Sequence, residues 1–248
     1  MTPTERAADL LRTAKRGVAL TGAGVSAESG IPTFRGEGGL WTRYDPVKVS
    51  SIDSFLADPA SYWAVSRERG RVALAAKPNP GHEALAALEA SGRLAAIVTQ
   101  NTDGLHRDSG ARRVIELHGS GRTVECLDCG RREARSEVQK RLELEVPPRC
   151  QSCGGARLKP TVVFFGEAMP AEAVAEAFAL AGQADVMLVV GTSLVVYPAA
   201  EVPLVALRAG APMIVVNAEP TPFDGFADVV IHGRSGEALP EIVRLIGG

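Results

Sequence analysis

Short runs of β-branched and aliphatic residues alternate with stretches of helical periodicity along most of the chain. That rhythm narrows the fold to α/β, a parallel sheet covered by helices. Ala7, Ala8, Leu10, Leu11 and Ala14 recur at helical spacing, Gly17 stops the helix, and Val18-Ala19-Leu20 follows as a buried strand. Further strands are expected at residues 95–99, 114–117, 161–165, 186–190, 213–216 and 229–231. Helices are expected at about 82–90, 171–181, 199–209 and 238–246, with Pro170 and Pro198 in first-turn positions where proline is tolerated. Two segments break the rhythm. Residues 36–80 carry both tryptophans and no clear strand, and residues 121–158 carry all the cysteines and many charges.

A chain of 248 residues suits one large domain, or one with a small insert. Its 46% hydrophobic and 23% charged residues can bury a substantial core, and a net charge of −2 supplies no basic field for nucleic acid or a membrane surface. Residues 1–6 lack the order of a secretion signal and the apolar runs are too short to span a bilayer, so a cytoplasmic location is expected.

The four cysteines form two knuckles, Cys126-x-x-Cys129 and Cys150-x-x-Cys153, which in a reducing compartment point to metal before disulfide. Four thiolates can close tetrahedrally on Zn²⁺ at about 2.3 Å, and Gly130, Gly154 and Gly155 suit the turns. A Cys₄ set leaves no open position, so this zinc is expected to be structural. The alternatives are four unrelated buried thiols or a nucleic-acid-binding ribbon. The second is weakened because Arg122, Arg131, Arg132 and Arg135 alternate with acids and lack aromatic stacking partners.

Directly after the first strand, Gly22, Gly24 and Ala27 fit the form G-x-G-x-x-A of a dinucleotide loop. The first glycine permits the turn, the second a close approach to pyrophosphate, and the small third residue packing of helix on strand. An acidic ribose ligand at the end of a second strand, about 20 residues on, is missing. Glu37 comes too early and no strand precedes it, so an ordinary dehydrogenase fits poorly.

These residues resemble the sirtuin family over nearly the whole chain. The stretch GAGVSAESGIPTFRG at 22–36 looks like its cofactor loop, TQNTDGLH at 99–106 its second motif, and Leu117-His118-Gly119-Ser120 its catalytic motif, just before the cysteine knuckles. Phe165-Gly166-Glu167, GTSLVVYPA at 191–199 and Val216-Asn217-Ala218-Glu219 complete the series in family order. The resemblance implies a Rossmann-like domain of residues 1–35, 80–120 and 159–248, a helical and cofactor-loop module of 36–79, and a zinc-binding module of 121–158. It further implies NAD as a consumed co-substrate and acyl-lysine peptides as partners. By that similarity Gly22, Ala23, Gly24 and Arg35 hold the pyrophosphate and adjoining ribose, Phe34 covers the nicotinamide end, and Asp103 binds the carboxamide. Gln100 and Asn101 contact the nicotinamide ribose, and Gly191, Thr192, Ser193, Asn217 and Glu219 line the adenosine half. Ser235 offers backbone contacts near the adenine. Main chain around Phe165, Gly166 and Glu167 and around Val195 would pair with an extended peptide, as an added strand does.

The chemistry the resemblance implies is attack of the acyl oxygen on the ribose carbon bearing nicotinamide. This displaces nicotinamide and gives an alkylimidate. His118 then accepts a proton from a ribose hydroxyl, which attacks the imidate carbon, and water completes the transfer, so that the products are free lysine, nicotinamide and O-acyl-ADP-ribose. An imidazole suits such base work near neutrality, and His118 stands at a strand end, where open α/β sheets place ligands. His82 reads as a helix-start residue, His106 as structural and His232 as near the surface. The glycine loop resembles the branch that includes desuccinylases, whose Tyr-x-x-Arg pair maps to Ser66 and Arg69. The arginine is present and the tyrosine is not, which puts deacetylation first and desuccinylation or demalonylation second; otherwise Arg69 is a solvated helix residue. Thr102 stands where the family has a branched apolar residue. Mono-ADP-ribosyl transfer and a non-catalytic NAD or ADP-ribose sensor are the rival functions.

Overall fold

Helix α1, Pro3–Thr13, starts from a reciprocal cap: Thr2 Oγ1 accepts from the Glu5 amide and the Glu5 carboxylate accepts from the Thr2 amide. The chain then enters strand β1, Gly17–Thr21, buried throughout. This is a computed structural model that describes residues 1–34, 39–42 and 44–247, with Trp41 by its main chain alone. Beyond the glycine loop come three helices, α2 (Pro46–Ser50), α3 (Ile52–Ala57) and α4 (Pro59–Ala75). Asp45, Ser51 and Asp58 cap them by accepting from their first-turn amides. Helix α5 (Pro80–Ala90), strand β2 (Leu94–Thr99), helix α6 (Leu105–Asp108) and strand β3 (Val114–Glu116) follow. Next come β4 (Gly119–Cys126), β5 (Arg132–Ala134), α7 (Arg135–Leu142) and β6 (Leu158–Val162). The last stretch is α8 (Ala171–Ala181), β7 (Met187–Val190), α9 (Glu201–Arg208), β8 (Met213–Asn217), β9 (Val229–His232) and α10 (Ser235–Gly247).

Six strands form one parallel sheet in the order β3-β2-β1-β7-β8-β9, the doubly wound order with its reversal between β1 and β7. Side chains alternate across it. Ala19, Ile97, Leu188 and Ile214 pack on α1, α5 and α10 through Leu11, Leu85 and Leu239. Leu20, Val98, Met187 and Val215 face α8 and α9 through Ala177, Val202 and Ala206. Both faces are therefore dry, which is why these strands read as unbroken apolar runs.

A second, antiparallel sheet, β5-β4-β6, carries the cysteine segment. Its core is shared: Phe55 and Trp63 of the helical segment pack with Val124, Val138, Leu142 and Leu158. Trp63 Nε1 donates to the Leu158 carbonyl at 2.9 Å, so the buried indole leaves no orphan donor.

Three expectations are corrected. The strand expected at 161–165 ends at Val162, starts at Leu158 and belongs to the small sheet. Lys159 and Pro160 hide it from a pattern search, and Pro160 is tolerated because β6 is an edge strand. Strand β4 was not expected because its first five residues are only half-buried and mostly polar or glycine. Helix α9 begins at Glu201, so the first-turn proline is Pro203 and Pro198 lies in the preceding turn. No helix among the described residues is long and apolar enough to cross a membrane.

Candidate active site

The carboxyl ends of the parallel strands lie along one edge of the sheet, with β1 and β7 flanking the strand-order reversal, where open α/β sheets bind ligands. Leaving β1, residues Ala23–Ser29 wind into a 3₁₀ turn pressed against the end of β7. The Gly22 amide donates to the Val190 carbonyl at 3.1 Å and the Gly24 amide to the Gly191 carbonyl at 2.8 Å. A Cβ on Gly22 would lie 2.7 Å from the Thr192 Cβ, and one on Gly24 2.7 Å from the Gly191 Cα. The glycines thus admit the β7 turn rather than turning their amides toward a ligand. Ala27 is exposed and does not pack helix on strand as expected; Val25, fully buried, does that.

A hydrogen-bond network fixes the loop from outside. Asn79 Nδ2 donates to the Val25 carbonyl and to Ser29 Oγ. The Asn79 amide donates to His82 Nδ1, so the proton of the neutral ring sits on Nε2, which faces Ser26 Oγ at 3.3 Å. Ser26 Oγ also accepts from Asn101 Nδ2 at 3.1 Å and donates to Asp103 Oδ2 at 2.7 Å. Burial holds the His82 imidazole below its ordinary pKa, against the pull of Asp103 and Glu28, which keeps that tautomer. The other Asp103 oxygen accepts from the Leu105 amide, leaving lone pairs for a further donor.

His118 follows β3 and is half-buried. Its Nδ1 lies 3.0 Å from the Gln100 carbonyl, which can only accept; Nδ1 therefore carries the hydrogen and Nε2 is the free base. Burial lowers its pKa and the Gln100 bond partly restores it. Gln100 Nε2 donates to Thr192 Oγ1 at 2.9 Å, and Asn101 Nδ2 donates to the Gly22 carbonyl at 3.1 Å. Two adjacent residues thus tie the His118 ring to both the glycine loop and the β7 turn. His106 is buried, with Nε2 2.8 Å from Thr21 Oγ1, and its Nδ1 has no hydrogen-bond partner among the described residues. Burial and the neighbouring His82 push its pKa down to about 3, so it stays neutral and structural. His232 is exposed beside Asp224.

The remaining positions scatter around this centre. Asn217 ends β8 and its Nδ2 donates to the Glu219 carbonyl at 2.6 Å. Ser193 is half-buried beyond Gly191 and Thr192, and the next residue, Leu194, holds a φ of 55° although it is not glycine. Ser235 is buried at the start of α10, where the Glu28 carboxylate accepts from the Gly236 amide at 2.8 Å. Arg35 lies outside the described residues, as does Glu37. Phe34 lies 5.9 Å from the Arg69 guanidinium, near Tyr44 and Tyr62. Arg69 is therefore not a solvated helix residue; burial lowers its pKa, and no carboxylate among the described residues pairs with it. Ser66 is buried, and its hydroxyl and carbonyl face Arg135.

The amide and carbonyl of Phe165 are both used, bonding Ser50 and Ile52 of the helical segment. Free main chain for an added strand is therefore that of Gly166, at φ 89°, and of Val195, neither of which has a backbone partner among the described residues. The Glu167 carboxylate turns back to accept from the Phe164 amide.

The four cysteine sulfurs lie within 4.8 Å of one another, with Cys126–Cys153 at 3.6 Å and Cys129–Cys150 at 3.8 Å. Those are the edges of a tetrahedron with ligand bonds of about 2.3 Å, and much too long for disulfides. Burial pushes the Cys126 thiol up to about 12, so a thiolate there needs a cation beside it. The cluster fits a structural zinc.

Comparison with known proteins agrees with this geometry. The Sir2 family model matches residues 22–198. An NAD-dependent protein deacylase 2 of Archaeoglobus fulgidus is 51% identical, covering 96% of this chain and 94% of that one. An NAD-dependent protein deacylase of Thermococcus kodakarensis is 48% identical, with 97% and 94% covered. Among solved structures, a Sir2 complex with a deacetylated p53 peptide and 3′-O-acetyl ADP-ribose superposes with a TM-score of 0.93 at 39% identity, covering 97% of each chain. A Sir2 protein bound to a myristoylated histone peptide superposes at 0.85 and 42% identity, covering 98% of this chain and 96% of that one. Given a family match over most of its length and relatives this similar from end to end, the chain belongs to the Sir2 family.

Proposed function

We propose that this protein removes acyl groups from lysine side chains of proteins, consuming NAD and releasing nicotinamide and an O-acyl-ADP-ribose. The observation that carries this reading is the free Nε2 of His118, aimed by the Gln100 carbonyl and joined through Gln100 and Asn101 to the glycine loop. In this reading NAD is a substrate spread over the β1–β7 reversal. Ala23 and Arg35 meet the pyrophosphate, while Gly22 and Gly24 shape the loop. Asp103 takes the carboxamide, Phe34 covers the nicotinamide end, and Gln100 and Asn101 hold the adjoining ribose. Gly191, Thr192, Ser193, Asn217, Glu219 and Ser235 form the adenosine side. His118 takes a ribose hydroxyl proton, which a neutral, partly desolvated imidazole is suited to do. Acyl-lysine peptide adds as a strand along Gly166 and Val195. Zinc at Cys126, Cys129, Cys150 and Cys153 closes the 121–158 module, and the core shared with Phe55 and Trp63 joins that module to the helical segment. We also infer a cytoplasmic location, consistent with cysteines set for metal.

Acetyl is the first acyl group we assign. An acidic acyl group is the second, because Arg69 is a half-buried cation that has no carboxylate partner among the described residues. The Ser66 hydroxyl points to Arg135 and cannot replace the missing phenol.

The test is incubation of the protein with NAD and matched acetyl, succinyl and long-chain acyl peptides, read by mass. Loss of the acyl group with stoichiometric O-acyl-ADP-ribose is expected. Nicotinamide release with ADP-ribose left on protein would instead mark a transferase, and no NAD turnover with any acyl peptide a sensor.

A further inference from the structure

Lys159 is an anomaly in the small sheet: a lysine only 7% exposed, in edge strand β6. A buried ammonium is retained only with partners, and Lys159 has four. Its Nζ lies 2.8 Å from the Val162 carbonyl, 3.3 Å from the Pro160 carbonyl, 2.8 Å from Glu167 Oε2 and 4.3 Å from the centre of the Phe164 ring. The same Glu167 oxygen accepts from the Phe164 amide at 2.8 Å, and the Glu167 amide donates to the Phe164 carbonyl at 3.0 Å. The turn 164–167 is thus closed on itself and anchored to the end of β6 by one charge. Its tip is Gly166, whose main chain has no backbone partner among the described residues, while Phe165 on its far side is bonded to Ser50 and Ile52. Phe164 is also buried in the shared core with Leu158, so the Lys159 ion pair adds a directional, charged tie to a hydrophobic one.

We infer that Lys159 is a positioning residue for the peptide strand: its ion pair with Glu167 sets the direction in which Gly166 presents its amide and carbonyl. The inference rests on the deacylase reading above for the identity of the ligand. It adds that affinity for the peptide backbone is set from the small sheet, by a side chain that touches neither NAD nor peptide. Orientation matters here because a main-chain hydrogen bond weakens steeply when its angle departs from linearity.

The experiment uses the full, zinc-loaded chain and three variants: Lys159→Met, Lys159→Arg and the double variant Lys159→Met/Glu167→Gln. Steady-state KM for an acetyl-lysine peptide and for NAD are measured separately, together with peptide Kd by fluorescence polarisation, zinc content and melting temperature. Lys159→Met should raise peptide KM and Kd roughly tenfold, the size of one or two main-chain hydrogen bonds. KM for NAD and zinc content should stay at wild-type values. Lys159→Arg, which keeps the charge, should recover most of the loss. The double variant, which removes both charges and so leaves none buried alone, should fold and still bind peptide weakly. Peptide KM and Kd unchanged in Lys159→Met and the double variant would overturn the inference, and so would equal rises for peptide and NAD. Failure of the deacylase reading looks different: wild type would turn over no acyl peptide. The polarisation measurement then decides alone, and absence of peptide binding to wild type would sink both.

Discussion

At the scale of single residues, the chemistry depends on the protonation of one ring. His118 must be neutral to accept a proton, and burial disfavours its imidazolium form. Its pKa therefore lies below the ordinary histidine value of about 6.5, and the base is lost only as pH falls through that lowered value. The acid limb of kcat/KM should accordingly lie below pH ~6.5, where a solvated imidazole would put it; a limb above that value would contradict the buried-base geometry. His118→Ala should lower kcat by roughly 10²–10⁴, the usual contribution of a general base, with NAD binding by calorimetry and the melting temperature near wild type. Sequence alone placed His118 at a strand end because the apolar run before it is local. The Ser26 network was not readable, since its hydroxyl meets His82 56 positions away and Asp103 77 positions away, and no local pattern encodes that meeting.

Among elements, the contact between the glycine loop and the β7 turn is a close main-chain joint in the cleft. Gly24→Ala would bring Cβ within 2.7 Å of the Gly191 Cα, main chain against main chain, with no flexible side chain to yield. A loss of about 1–3 kcal/mol in denaturant unfolding is expected, with a raised KM for NAD. Gly225→Ala, where an added Cβ meets nothing within 4 Å, should be close to neutral. Equal behaviour of the two variants would show that the joint does not constrain the loop. The strands of the main sheet were readable because both faces are buried, so each is a short apolar run of β-branched and aliphatic residues. Strand β6 was misplaced by three residues because its lysine and proline do not alternate as a half-buried strand should; the lysine is kept there by the Glu167 turn, a tertiary reason. Helix α4 was not among the expected helices; two of its faces are occupied at once, Trp63 toward the small sheet and Arg69 toward Phe34.

On the scale of the whole molecule, the cysteine module and the helical segment stand or fall together. Phe55 and Trp63 share a core with Val124, Val138 and Leu142, and the buried Arg135 lies over the Trp63 ring at 5.0 Å. Cys126→Ser should reduce bound zinc from one per chain to near zero. It should also cost more than about 4 kcal/mol, the range in which loss of a metal site falls. Hydrogen exchange should then accelerate in α4 as well as in β4 and β6, while β1, β2 and β7 stay protected; exchange confined to the cysteine segment would refute the shared core. The knuckles were plain in the sequence, whereas the core that binds them to Phe55 and Trp63, about 60 to 100 positions earlier, was not. The sheet order has a further result for how the protein comes into being. Strand β1 lies between β2 and β7, and β7 begins at Met187. A growing chain that has emerged only as far as α8 already carries the glycine loop and the His118 ring, yet lacks the wall against which that loop is moulded. Because so distant a pairing must wait for the late strand, competence for catalysis should arrive abruptly, only after most of the polypeptide has been synthesised.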